Sequence, residues 1–374
     1  MTARKSAHLS AGNWVEIRSK EEILATLDAD GRLDGMPFMP EMFAFCGKRF
    51  EVYKRAHKTC DTVFPVRGRR VSDSIHLSTR CDGSAHGGCQ AGCLLFWKEA
   101  WLKPVPSAAS APTAAAPDLN GSRSATGCSE ADVRAATQRA TNDGTSQYSC
   151  QATQLPYFTT ELNWWDLRQY IEDYSSGNVT LGRMLAGLMF SAYWHLINLG
   201  IGLGRPMRWI YDKVAPLWTN ASFPRHTGRI PKGQPTPTEA LNLQPGELVR
   251  VKSHQEILRT LNTESQNRGM SWDAELVPYC GGTYRVRDRV NRIINEQTGR
   301  MQDMKNPCII LEDVICEGRY SDCRMFCPRA IYSWWREIWL ERVSPAKGEH
   351  SRTIQIESRP AAVPAERSRR SPIA

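Results

Sequence analysis

Residues 246–290, GELVRVKSHQEILRTLNTESQNRGMSWDAELVPYCGGTYRVRDRV, align without a gap to residues 12–56, GNWVEIRSKEEILATLDADGRLDGMPFMPEMFAFCGKRFEVYKRA, at a constant offset of 234. Among the identities are Ser19/Ser253, Glu22/Glu256, Thr26/Thr260, Glu41/Glu275, Cys46/Cys280, Gly47/Gly281 and Arg55/Arg289. The match resumes downstream. Cys81, Cys89 and Cys93 answer Cys316, Cys323 and Cys327, and Trp97, Glu99 and Trp101 answer Trp335, Glu337 and Trp339. The chain therefore contains one pattern twice, and a residue kept in both copies points to a need common to both.

Each copy opens on an alternating strand, Trp14-Val15-Glu16-Ile17 and Leu248-Val249-Arg250-Val251. A helix follows, announced by S-x-x-E capping boxes at Ser19/Glu22 and Ser253/Glu256. Further strands are expected around Phe50–Tyr53 and Tyr284–Arg287. Each copy is expected to close on a helix, FWKEAWLK and IYSWWREIWLERV, in which tryptophans four apart share a face. The expected class is α+β: two homologous small modules of short antiparallel strands plus helices, joined by a helical segment and flexible linkers.

The segment boundaries follow from composition. Residues 1–11 form an arm, 12–105 the first cysteine-rich copy and 106–155 an Ala/Ser/Thr-rich flexible linker. Residues 156–220 are apolar and helical, 221–245 are a Pro-rich linker, 246–343 the second copy and 344–374 a polar, disordered tail.

The chain has 374 residues and a net charge of +9, which invites a nucleic-acid reading. The location of the charge argues against it. The two copies carry only +2 and +1, and over half the excess lies in the short terminal arms. Neither copy is the strongly basic domain that phosphate binding needs. Nucleic-acid binding is therefore a weakly supported alternative. The N-terminus lacks an apolar core of the signal-peptide type, which places the chain in the cytoplasm by default. In that reducing compartment, 12 cysteines favour metal ligands or buried thiols over disulfides.

The recurring thiols are the candidate ligands: Cys46, Cys81, Cys89 and Cys93 in the first copy, and Cys280, Cys316, Cys323 and Cys327 in the second. Four thiolates suit a closed tetrahedral zinc site, so two zinc ions per chain are expected. An iron–sulfur cluster, which also takes four thiolates, is the alternative cofactor. Cys327 precedes Pro328, which fits the start of a helix. His57, Cys60, His76, His86 and Cys308 have no counterparts in the other copy, and Cys128 and Cys150 read as free linker thiols.

Residues 184–204, MLAGLMFSAYWHLINLGIGLG, carry no formal charge and reach the length of a membrane span. His195, Asn198 and several glycines weaken that reading. A single span would also place the two matching copies on opposite sides of a membrane. A buried or membrane-surface helix is preferred, and it also offers a surface for a protein partner.

No phosphate-binding, dinucleotide, nucleophile-elbow or zinc-protease motif occurs. Glu41/Glu275 and Glu99/Glu337 read as salt-bridge residues rather than acid/base groups. The expected role is non-enzymatic binding or scaffolding, with zinc holding each copy folded; an iron–sulfur or thiol redox protein is the alternative.

Two resemblances accompany this reading. The opening LQPGELVRV resembles the first strand of SH3-like or KOW-type small barrels, which implies a small curved antiparallel sheet. The elements EIL-TL, G-M-x-[FW], [YF]-C-G, C-P-R-A-I-Y and W-R-E-I-W-L resemble those of uncharacterised bacterial tandem-repeat, cysteine-rich proteins, and that likeness implies no activity.

Overall fold

A computed structural model of the chain describes residues 9–63, 65–106, 127–200, 202–215 and 222–343. The arm before Leu9, most of residues 106–126 and the tail after Val343 lie outside the described residues.

The alternation at 14–17 does what its period requires. Val15 and Ile17 are fully buried, while Glu16 faces outward and pairs with Arg49 at 2.9 Å. In the second copy Val249 and Val251 are buried, and Arg250 pairs with Glu341 at 2.6 Å. Each of these strands is the fourth in a five-stranded antiparallel sheet. In the first sheet the order is Leu94–Lys98, Ser74–Arg80, Arg49–Arg55, Trp14–Ile17, Leu102–Pro104. In the second it is Tyr332–Trp335, Met301–Ile315, Thr283–Ile294, Leu248–Val251, Leu340–Arg342. The registers also correspond. Val15 faces Phe50 as Val249 faces Tyr284, and Ile75 faces Trp97 as Ile309 faces Trp335. A register shift falls at Val52/Lys54 in one and at Val286/Asp288 in the other.

Both capping boxes form. Ser19 accepts from the Glu22 amide and Ser253 from the Glu256 amide, at the start of helices Lys20–Leu24 and His254–Leu258. The same aromatic cage closes each core. Phe38 meets Trp101 edge-on at 5.2 Å, and Trp272 meets Trp339 edge-on at 5.1 Å.

The expected closing helices are not helices. Leu94–Lys98 and Tyr332–Trp335 are strands, followed by the single 3-10 turns Glu99–Trp101 and Glu337–Trp339 and a last short strand. Cross-strand pairing decides this, because Trp97 and Trp335 complete ladders opposite Ile75 and Ile309. The turn then returns Trp101 and Trp339 to the same cores, so all four tryptophans are fully buried without a helix. No helix begins at Cys327-Pro328 either; the pair opens a turn.

Between its second and third strands each copy extends a hairpin toward the other. In the first copy, Lys58–Asp61 and Arg67–Val71 peel away as a hairpin, and Arg67–Val71 pairs on its other edge with Thr159–Leu162. In the second copy the strands simply lengthen, to 12 and 15 residues. A shared cluster fills the seam, with Leu94 of the first copy against Val290, Ile310, Ile315 and Tyr332 of the second. The guanidinium of Arg80 stacks 3.9 Å from the Tyr332 ring.

The segment read as a flexible linker carries, in its described part, helix Glu130–Ala136 and a two-stranded hairpin. Val133 and Cys128 are buried against the first core. In the middle segment, helix Leu181–Ile197 packs one side on the second copy, with Phe190 against Tyr320 at 4.9 Å. Its other side exposes Leu185 and Met189. Among the described residues no helix is long and apolar enough to cross a membrane.

Candidate metal centre

The strand Ser74–Arg80 ends at Cys81 and the next strand begins at Leu94. The loop between them turns on glycines. At Gly83, φ is +72° and a Cβ would lie 2.1 Å from the Cys89 carbonyl, so no other residue fits. The knot is tied by His86 N donating to Gly83 O at 2.9 Å and Cys81 N donating to Cys93 O at 2.9 Å.

Glu41 enters this loop from the 3-10 helix Pro40–Phe45. Its Oε1 accepts the Ala85 amide at 3.1 Å and lies 2.7 Å from His86 Nδ1 and 3.7 Å from Cys81 Sγ. The donor atoms of Glu41, Cys81 and His86 lie within 4.8 Å of one another, and no other such trio occurs among the described residues. The other His86 nitrogen, Nε2, lies 3.1 Å from Ser149 O. A proton donated there leaves Nδ1 directed at the carboxylate, the arrangement a metal-binding imidazole takes. A tetrahedral zinc site separates a nitrogen and an oxygen ligand by ~3.3 Å and a sulfur and an oxygen by ~3.6 Å. The sulfur–oxygen spacing already matches. The nitrogen–oxygen pair, at 2.7 Å, must open slightly to admit an ion.

The second carboxylate oxygen, Glu41 Oε2, is buried with no hydrogen-bond partner. An unpaired buried carboxylate oxygen is costly and calls for a cation or donor. Cys81 and His86 also line a cavity of about 40 Å³, together with Cys89, Cys93 and Cys150. That is room for an ion or a few water-sized groups. The second copy covers it: the Ile294 amide meets Cys89 Sγ at 3.4 Å, and Gln90 N donates to Arg292 O at 3.1 Å.

Burial, and then the Glu41 charge, push the Cys81 thiol far above its ordinary value. Burial pushes Cys93 up to about 12, against the pull of Arg329. Burial would raise the Glu41 carboxyl too, but the hydrogen bond and charge of His86 outweigh it and hold it low. These thiols are therefore protonated and poorly nucleophilic unless a cation joins them.

The sequence-derived ligand sets come apart. Cys81, Cys89 and Cys93 do share a cavity, but Cys46 does not reach them. It caps the 3-10 helix Pro40–Phe45 beside Lys20, and burial raises its thiol to about 11. Cys280 caps Ala274–Tyr279 with its sulfur near Leu276 O, and burial raises it to about 12. The Cys-Gly pairs serve the turn, with φ of +73° at Gly47 and +76° at Gly281. In the second copy Cys316 and Cys327 are buried thiols, while Cys323 lies against Ser321 Oγ at 3.2 Å. Cys308 is a core thiol beside Met270.

Three contributors escaped the sequence reading. His86 lacks a counterpart, although Cys81-x4-His86-x2-Cys89-x3-Cys93 is itself ligand-like spacing. Cys150 was assigned to a linker. Glu41 and Glu275 were read as salt-bridge residues. Both are buried instead, and Glu275 accepts the Arg319 and Tyr320 amides at 2.9 and 2.7 Å. Glu99 and Glu337 do form ion pairs, with Arg55 and Arg289 at 2.5 and 2.7 Å.

A separate cleft of about 420 Å³ opens between the middle segment and the second copy, lined by Trp164, Trp194, Trp272, His226, Tyr320 and Arg324. The Trp272 indole N–H is buried without a partner. Compared with known proteins, the chain matches no family model, no curated protein and no solved structure.

Proposed function

We propose that this is a non-enzymatic binding or scaffold protein built from two homologous SH3-like modules, with a zinc-type ion fastening the first cysteine loop. The observation that carries the reading is the buried Glu41–Cys81–His86 trio with its unpaired Glu41 oxygen. Cys89, Cys93 and Cys150 line the adjoining cavity, from which a fourth ligand would have to come. Matching strand order, registers and aromatic cages support two copies of one module. In each, the last strand returns beside the first after a 3-10 turn, the order of small SH3-like barrels.

The oxygen and nitrogen donors in the trio favour zinc over an iron–sulfur cluster, which is held by thiolates. The small cavity favours one ion over several. Raised thiol values argue against a nucleophilic cysteine.

Binding is assigned to the aromatic cleft. Its volume is that of a small-ligand site, and the rings of Trp164 and Trp194 suit a flat ligand. A protein partner would cover the exposed apolar face marked by Leu185, Met189, Trp209 and Ile210.

Elemental analysis with a visible spectrum, on full-length protein purified without chelator, tests the centre. Zinc without a visible band is expected, and its removal should lower the unfolding temperature, because metal binding is part of folding free energy. Metal-free protein of unchanged stability would reject the reading. Iron with a visible band would transfer it to electron transfer.

A further inference from the structure

The first cysteine loop has two faces. Its inner face carries the Glu41–Cys81–His86 trio. Its outer face lies on the second copy. At Gly92, where φ is +59°, a Cβ would lie 3.0 Å from the Tyr332 ring, and at Gly87 a Cβ would lie 3.1 Å from Met301 Cε. Both glycines let the loop approach the second copy closely.

The contact is specific. Between Val290 and Arg292 the strand Thr283–Ile294 slips out of register with its neighbour Met301–Ile315. Such a bulge leaves backbone groups without ladder partners. Gln90 supplies them. Its Oε1 accepts the Asn291 and Arg292 amides at 2.7 and 3.1 Å, and its Nε2 donates to Arg289 O at 3.1 Å. Its own amide donates to Arg292 O at 3.1 Å. Beside it, the Ile294 amide donates to Cys89 Sγ at 3.4 Å. One turn joins this outer face to the inner one. Cys89 N donates to His86 O at 3.2 Å, so His86 and the docking pair Cys89-Gln90 are tied together. On the far side of the His86 ring, Nε2 lies 3.1 Å from Ser149 O, and the preceding Tyr148 donates its amide to Gly299 O at 2.7 Å. His86 is thus held between two contacts with the same long hairpin of the second copy.

We propose that the first cysteine loop is a metal-dependent clasp between the two copies. The ion on its inner face fixes His86, and the turn that follows His86 presents Gln90 to the bulge. The partner of this surface is the second copy itself, and the effector is a thiophilic divalent ion. The proposal rests on the reading of the loop as a metal centre, and extends it to control of the seam. On binding, the Cys81 thiol loses its proton to solvent as the sulfur–metal bond forms; nothing is oxidised. Coupling between two sites is reciprocal, so the factor by which the ion tightens docking is the factor by which docking tightens the ion. Loss of the ion loosens the clasp and opens the apolar seam of Leu94, Val290 and Ile310 to solvent.

The test uses the full-length chain and two readouts. Wild-type protein is stripped with a chelator, part of it is reloaded with Zn²⁺, and amide hydrogen exchange is compared. Exchange over residues 289–295 should rise about tenfold in the stripped protein, while the second core, at Val249–Val251 and 309–311, should not change. Stripped wild type, Gln90→Ala and Thr260→Val are then titrated with Co²⁺, following sulfur-to-cobalt absorbance. Gln90→Ala keeps Glu41, Cys81 and His86 but removes the three side-chain bonds to the bulge. It should bind Co²⁺ about tenfold more weakly. Thr260→Val disturbs the second core away from the seam and should bind as wild type does. Equal exchange with and without the ion, or an unchanged affinity in Gln90→Ala, overturns the clasp and leaves the metal centre standing. A wild-type chain that binds no ion rejects the centre, and the clasp with it.

Discussion

The indole N–H of Trp101 donates to the hydroxyl of Thr26 at 3.1 Å, and the same bond joins Trp339 to Thr260 at 2.8 Å. Both tryptophans are fully buried. Each hydroxyl also donates back into its helix, to Ile23 O and Ile257 O. One hydroxyl thus ties the closing 3-10 turn to the opening helix in each copy.

Thr26→Val keeps the shape and orphans the indole N–H. An unsatisfied buried donor costs ~1–3 kcal/mol, so chemical unfolding should show that loss for Thr26→Val and a similar one for Thr260→Val. Because the two sites lie in separate cores, the double variant should lose about the sum of both. A neutral effect at either position would mean that the bond is dispensable there.

Lys58 and Asp173 form a buried ion pair at 2.6 Å, with side chains 4% and 0% exposed. It joins the first copy's hairpin to helix Arg168–Ser175, with His57 also within 3.2 Å of the aspartate. Lys58→Met strands the Asp173 charge and should cost ~3–5 kcal/mol by thermal unfolding. Removing both charges, in Lys58→Met with Asp173→Leu, should recover much of that loss.

His76 lies in the first core, with Nδ1 on Leu95 O at 2.9 Å and Nε2 unpartnered. Burial lowers its pKa to about 3. The unfolded chain takes up this proton below about pH 6.5, and the native state takes it up only near pH 3. Stability from this group is therefore intact above about pH 6.5 and falls by roughly 1.4 kcal/mol per pH unit toward pH 3. Ile310 occupies the matching place in the second copy, opposite Trp334 as His76 is opposite Phe96. His76→Ile should shrink the stability drop between pH 7 and pH 5 by ~2 kcal/mol. An unchanged drop would assign the acid sensitivity to other groups.

What was legible in the chain was local. Val15/Val249 and the S-x-x-E boxes have their strand and cap roles written in neighbours three residues away or fewer. Trp97 was misread because its four-residue spacing from Trp101 mimics a helix face, while the pairing that makes it a strand lies across the sheet at Ile75. The site was half legible. Matched Cys81, Cys89 and Cys93 lie in one loop and line one cavity with His86. Cys46, equally well matched, is kept for a turn. Conversely, Cys150 lines the cavity of the first loop although it lies outside the repeated stretch, an arrangement that no internal comparison reveals.

The most direct test of the metal centre sets Cys46→Ser against His86→Ala, with metal per chain measured on each folded protein. We predict that Cys46→Ser retains the full wild-type content and that His86→Ala loses an ion. Loss in Cys46→Ser with retention in His86→Ala would contradict the centre built on Glu41, Cys81 and His86.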